Sequence, residues 1–204
     1  MSAHHETHPE RVRLLTVCTG NICRSPYAAA LLREGLDRVR RGAFEVTSAG
    51  THALVGNRMD ADSTRLLGAR GIADGGFRAR ALNQPMLREQ AVVLAMESRH
   101  REVVIDEAPA LHRRTFTILA FAAALDAVGS PAAWSALLET AGADDVRSRW
   151  AALPGIIAAH APGRRSASDV PDPFTRGSAA FDRMAATITP AVRTIVEWEG
   201  SFPR

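Results

Sequence analysis

The chain has 204 residues, 46% of them hydrophobic and 23% charged, a balance expected of an ordinary soluble globule with enough length for one core. The formal net charge of +3 is mild and the basic residues are scattered along the sequence, which gives no reason to expect nucleic-acid binding. No stretch approaches the ~20 apolar residues needed to span a membrane, and two cysteines sharing one short segment do not make a disulfide framework.

Residues 1–10 are polar and histidine-rich, with no apolar core, so they read as a flexible tail rather than a signal peptide. His4, His5 and His8 lie there without partner cysteines or carboxylates, and neither a metal nor another cofactor is expected. Residues 11–204 are expected to form a single domain. Two free thiols fit a reducing cytoplasm.

The first strand is expected at about 13–18, where Arg13-Leu14-Leu15-Thr16-Val17 is short, apolar and bounded. A helix over about 26–41 follows, with Ala28, Leu31, Leu32, Leu36 and Val39 at helical spacing. Ser25 is expected to cap it and Pro26 to open it. Between them, Cys18-Thr19-Gly20-Asn21-Ile22-Cys23-Arg24-Ser25 forms a tight strand-to-helix loop. Backbone N–H groups at a helix N-terminus, together with the helix dipole, make an anion site. Gly20 supplies backbone freedom, and Asn21 tolerates a left-handed conformation. A cysteine in such a setting beside a guanidinium favours its thiolate form. Ser25 can donate a hydrogen bond to that sulfur, and the planar fork of Arg24 suits two oxygens of a phosphoryl group.

Further strands are expected at about 43–49, at 91–96 and at Thr115-Phe116-Thr117-Ile118-Leu119. Helices are expected at about 60–71, ending at Gly71, at 98–108 and at 177–198. Alternating strand and helix predicts an α/β fold, an open four-stranded parallel sheet with helices on both faces. Ligands of such sheets bind beyond the carboxyl ends of the strands, where Cys18 falls. Residues 120–168 read as a helical insertion and loop, broken at Gly129-Ser130-Pro131, with Trp134 and Trp150 at core positions and a flexible stretch over 163–171. It is expected near the rim of the site, as a recognition cap, a partner or dimer surface, or an elaboration packed on the domain.

Displacing an alkoxide or phenoxide from phosphorus needs a positioned acid. Asp172, stiffened by Pro171 and Pro173, is the candidate, and Asp169 competes with it.

The run Val17-Cys18-Thr19-Gly20-Asn21-Ile22-Cys23-Arg24-Ser25-Pro26 closely resembles the phosphate-binding loop of low-molecular-weight protein tyrosine phosphatases. Thr47-Ser48-Ala49-Gly50-Thr51 and Asp172-Pro173-Phe174 resemble two further family segments, and all three stand in the family's order. The resemblance implies hydrolysis of phosphotyrosine proteins or small aryl phosphates, with phosphate as product. Cys18 would be the nucleophile, Arg24 and the amides of Thr19 to Cys23 the phosphate holders, and Asp172 the acid and then the base. No metal is implied. Asn21 would brace the loop, Phe174 would wall the pocket, and Thr19 and His52 would shape its rim. Cys23 would pair reversibly with Cys18 under oxidation. The sequence departs from the family in Gly76-Phe77-Arg78-Ala79-Arg80, where members often carry histidine at the Phe77 position, which puts the bracing of Asn21 in question. The same fold also serves arsenate reductases. The thioredoxin-coupled kind needs cysteines beyond Cys23 that this chain lacks, which leaves a reductase using a small thiol. A non-catalytic phosphate-binding module is the other alternative.

Overall fold

The computed structural model describes residues 11–163 and 169–203, so the N-terminal tail with its three histidines lies outside it. The described chain runs β1 (Val12–Cys18), α1 (Arg24–Val39), β2 (Phe44–Gly50), α2 (Ala61–Gly68), α3 (Gln84–Arg88), β3 (Val92–Ala95) and α4 (Ser98–Glu107). It continues through a 3-10 turn at Pro109–Arg114, then β4 (Thr115–Thr117), α5 (Ile118–Val128), α6 (Pro131–Thr140), α7 (Val146–His160) and α8 (Ser178–Gly200). All four strands are parallel, in the order β2-β1-β3-β4. The expected α/β fold is the one observed.

Strand alternation divides the core. Leu14, Val46, Val92, Leu94 and Phe116 face one side with the apolar stripes of α1, α5, α7 and α8, while Leu15, Val17 and Val93 face Leu87 of α3 and Val104 of α4 on the other. The packing of α1 on α8 is close enough that a Cβ on Gly35 would lie 2.6 Å from Val196.

Several boundaries differ from expectation for local reasons. β4 ends at Thr117, whose hydroxyl accepts from the Ala120 N–H and so caps α5, leaving Ile118 and Leu119 in its first turn. α3, missed by the sequence reading, is a five-residue helix capped by Asn83. The expected break at Gly129-Ser130-Pro131 holds: Gly129 has φ +132°, Ser130 caps α6, and the helices on either side meet at 90°. No single helix among the described residues is long and apolar enough to cross a membrane.

The insertion is helical, as expected, but it is not built on the rim of the site. Trp150 of α7 stacks edge-on against Phe44, which opens β2, and against Trp198 near the end of α8. These contacts anchor it to the amino end of the sheet, opposite Cys18. Trp134 and Trp150 are both fully buried. Beside them Glu199, with no exposed surface, accepts from Arg40 Nε and Arg149 Nη2, each at 2.8 Å, and from Trp150 Nε1 at 3.0 Å. Removing one member of such a buried set strands the others. Glu199→Ala is therefore expected to lower unfolding stability by about 3 kcal/mol in urea titrations. A loss below about 1 kcal/mol, the scale of an exposed pair, would contradict this anchoring.

Candidate active site

β1 delivers Cys18 to the carboxyl edge of the sheet, level with Gly50 of β2. The chain then turns through Asn21, whose φ of 55° is left-handed, while Gly20 is not among the positive-φ residues. The asparagine, not the glycine, takes the demanding conformation. Its side chain explains how: Nδ2 donates to Ser25 Oγ and to Ser48 Oγ, and Oδ1 accepts from the Arg80 N–H, all at 2.9 Å. Every polar atom of that amide is thereby engaged. Phe77 packs on the core instead, and Asn21 is braced without a side chain from that position.

Ser25 does not cap α1. The helix opens at Arg24, with Cys23 as its N-terminal neighbour and no side-chain cap. The serine hydroxyl is taken by the site: it lies 2.9 Å from Cys18 Sγ and receives Asn21. With Asn21 donating to it, the serine hydroxyl can give its proton to Cys18 Sγ or to the Ala49 carbonyl at 3.4 Å.

The carbonyls of Cys18, Thr19, Gly20 and Ile22 accept from the N–H groups of Thr51, His52, Leu54 and Asp60. The carbonyls are thus held by this neighbouring segment, while the N–H groups of Thr19 to Cys23 make no hydrogen bond to other described residues. Gly50 allows the approach, since a Cβ there would sit 2.4 Å from the Thr19 carbonyl oxygen.

Arg24 is buried, and its guanidinium is held on three sides. Glu97, just past β3, accepts from Nη1, as does the Val170 carbonyl at 3.2 Å, and Asp172 Oδ2 lies 3.0 Å from Nη2. Burial disfavours ionisation of Glu97, but Arg24 and then Arg99 outweigh it and hold that carboxyl below its usual range. Asp169 serves a different purpose from Asp172. It accepts from the Ser98 N–H at 2.8 Å and the Ser98 hydroxyl at 3.1 Å, and the Val170 N–H bonds the Met96 carbonyl. These contacts tie the segment before Asp172 to the start of α4, and Asp172 alone of the pair reaches the guanidinium.

The resulting cleft of about 220 Å³ has Cys18, Cys23 and Arg24 at its base and Asp172 at its mouth, with Ile22, His52, Leu54 and Phe174 on its walls. Leu54 and Phe174 are among the few exposed large apolar side chains. Thr19 and Gly20 line it as well, whereas Asn21 and Ser25 brace it from behind. Burial, with smaller help from Asp60 and Cys18, pushes the Cys23 thiol up to about 12. Among the described residues no cluster of acids, histidines and cysteines is arranged to hold a metal.

A family model described as low molecular weight phosphotyrosine protein phosphatase matches residues 13–130. The chain belongs to that family. It is 40% identical over 102 residues to the low molecular weight protein-tyrosine-phosphatase Etp of Escherichia coli K12, a match spanning 50% of this chain and 66% of Etp. It is 35% identical over 114 residues to a protein-arginine-phosphatase of Geobacillus stearothermophilus, across 56% and 74% of the two chains. The solved arginine phosphatase YwlE from that organism superposes with a TM-score of 0.62 at 24% identity, covering 91% of each chain. The tyrosine phosphatase Wzb from E. coli K30 does so with a TM-score of 0.62 at 23% identity, covering 91% and 96%. These structural likenesses concern the fold.

Sequence reading missed Ser48, Glu97 and His100 in this phosphatase-family site. Ser48 lay within a quoted family segment without a role, and Glu97 follows a strand at the functional edge. His100 gave no local signal. Its Nε2 lies 2.8 Å from Thr19 Oγ1, while Nδ1 is buried with no partner. Burial pushes its pKa down to about 4, with Glu97 and Asp172 opposing and Arg24 and Arg99 assisting. Between that value and the usual ~6.5, the unfolded chain binds a proton that the folded chain refuses. Stability therefore rises with pH through this window and is lost on acidification. From about pH 7 to 4.5, this accounts for about 2 kcal/mol. Urea titrations are expected to show His100→Gln losing less stability over that range than the wild type. Parallel pH profiles would show that His100 is not held neutral.

Proposed function

We propose that this chain is a protein-tyrosine-phosphatase acting through a phosphocysteine, with Cys18 as nucleophile, Arg24 as phosphate holder and Asp172 as general acid and base. The reading rests above all on the convergence of these three side chains on one cleft with apolar walls. An incoming phosphate dianion draws the guanidinium of Arg24 and the N–H groups of Thr19 to Cys23 onto its oxygens. Asp172, released from Arg24 and protonated, then faces the leaving oxygen. The Cys18 thiolate attacks phosphorus, the P–O bond to the phenol breaks, and Asp172 passes its proton to the phenoxide. Asp172 next takes a proton from water, which attacks phosphorus and returns Cys18 as thiolate, stabilised by the Ser25 hydroxyl. Phosphate leaves. Positioning and charge stabilisation carry the rate.

The aryl preference is supported by the walls, where Ile22, Leu54 and Phe174 suit the faces and edges of a ring. Similarity to an arginine phosphatase makes phosphoarginine the second reading. Against it, among the described residues the only carboxylate lining the cleft is Asp172, with no second acid beside it to hold a substrate guanidinium. An arsenate reductase using a small thiol and a non-catalytic phosphate module remain the outer alternatives.

Cys23 supports a redox role beside catalysis. With its thiol pushed up to about 12, it is protonated at neutral pH and does not compete as nucleophile. Once a peroxide has converted Cys18 to its sulfenic acid, the Cys23 thiol can displace water and form the disulfide, which cellular thiols reverse. A reducing cytoplasm suits that cycle.

Cys18→Ser is expected to abolish hydrolysis of phosphotyrosine peptides and aryl phosphates. Asp172→Ala should slow esters of poorly acidic phenols by about 10²–10⁴-fold and those of strongly acidic phenols far less. Equal losses for both would remove Asp172 from the role of acid. Turnover of phosphoarginine above phosphotyrosine would overturn the aryl reading, and arsenite release without ester hydrolysis would favour the reductase.

A further inference from the structure

Thr19 directly follows the nucleophile and, among the described residues, carries the only hydroxyl in the lining of the catalytic cleft. The walls around it are apolar, formed by Ile22, Leu54 and Phe174. His100, in the first turn of α4, is 2% exposed and does not reach that lining. Its Nε2 lies 2.8 Å from Thr19 Oγ1, and among the described residues the hydroxyl has no other hydrogen-bond partner. The half-buried threonine thus connects a buried imidazole with the cleft.

A hydrogen bond between a hydroxyl and an imidazole nitrogen can run either way, and the surroundings of the other ring nitrogen decide which. Burial pushes the His100 pKa down to about 4, with Arg24 and Arg99 assisting and Glu97 and Asp172 opposing, so the ring is neutral and carries one proton at neutral pH. Placed on Nδ1, that proton would be a donor facing nothing, because Nδ1 is buried without a partner. Placed on Nε2, it is used by Thr19, and Nδ1 keeps a bare lone pair. A buried N–H with no acceptor is rarer than a buried acceptor short of a donor. Nε2–H is also the tautomer that free histidine prefers in water. His100 therefore donates, and Thr19 Oγ1 accepts. The threonine proton cannot return to the histidine and meets no other acceptor among the described residues. It is left for the cleft.

We propose that Thr19 Oγ1 donates this proton to an oxygen of the phosphoryl group bound in the cleft, and that His100 is the positioning residue that orients the hydroxyl. The proposal rests on the reading of the cleft as a phosphoryl site. It adds to Arg24 and the loop amides a neutral side-chain donor beside the nucleophile, one that an apolar residue at position 19 could not supply.

Nitrogen NMR of the wild-type chain at neutral pH reads the tautomer: His100 is expected to show a protonated Nε2 and a bare Nδ1. A protonated Nδ1 would overturn the proposal, since Thr19 would then have to give its proton to the histidine. Calorimetric titration with inorganic phosphate reads the donor. Thr19→Val is expected to weaken phosphate binding about tenfold, while Thr19→Ser stays close to the wild type. Phosphate affinity unchanged by Thr19→Val would overturn the donor. His100→Leu should weaken phosphate binding by a smaller factor when Thr19 is present and have no effect in the Thr19→Val chain, because the histidine acts through the hydroxyl. Equal losses in both backgrounds, or none in either, would remove His100 from the positioning role. A wild type that meets these expectations yet hydrolyses no aryl phosphate would end the phosphatase reading and leave this one standing.

Discussion

The site depends on the three hydrogen bonds of one buried amide. Asn21 sits in a left-handed turn, a conformation that costs most residues free energy, and its side chain is bonded to Ser25, Ser48 and the Arg80 backbone. Those bonds fix the loop that carries Cys18 and hold the Ser25 hydroxyl beside the sulfur. β2 ends in glycine at the same place, where a Cβ would meet the Thr19 carbonyl oxygen at 2.4 Å and Asn21 at 3.0 Å. An amide satisfied at every atom in a low-dielectric setting is costly to disturb, so the loop is preorganised before any anion arrives.

Around that loop the parallel sheet concentrates the remaining groups. The carboxyl ends of β1, β2 and β3 deliver Cys18, Gly50 and the Glu97 corner to one edge. The acid segment arrives from far down the chain and is held there by Asp169 on Ser98 and Val170 on Met96 and Arg24. Arg24 is thereby gripped by Glu97 and Asp172 together. The proposed chemistry exchanges one of these carboxylates for phosphate, and the fixed partner, Glu97, keeps the guanidinium oriented during the exchange.

Much of this was legible in the sequence because the signals were local. The apolar run before Cys18, the helical spacing after Pro26 and the strand-helix alternation predicted the sheet. Cys18 and Arg24 were named from residue type and spacing, and Asp172 was preferred to Asp169 on the resemblance of Asp172-Pro173-Phe174 to the family's acid segment. What was not legible was set by tertiary partners. Ser25 has the chemistry of a cap, but its hydroxyl is drawn to Cys18 and Asn21, and the helix starts at Arg24, two residues before Pro26. The side of the sheet on which the insertion packs depends on Trp150 finding Phe44 and on Glu199 finding two arginines, contacts across tens of residues. His100 became visible only when Thr19 was seen against it.

The central claim is that Cys18 carries the phosphoryl group during turnover. In the proposed mechanism Asp172→Ala would slow the return of that group to water, so rapid acid quenching of this variant during aryl phosphate turnover, followed by mass spectrometry of its peptides, tests the claim most directly. The account predicts one phosphoryl group on the peptide containing Cys18, absent when Cys18→Ser is added. Hydrolysis that proceeds with no such adduct, or an adduct on another residue, would contradict it.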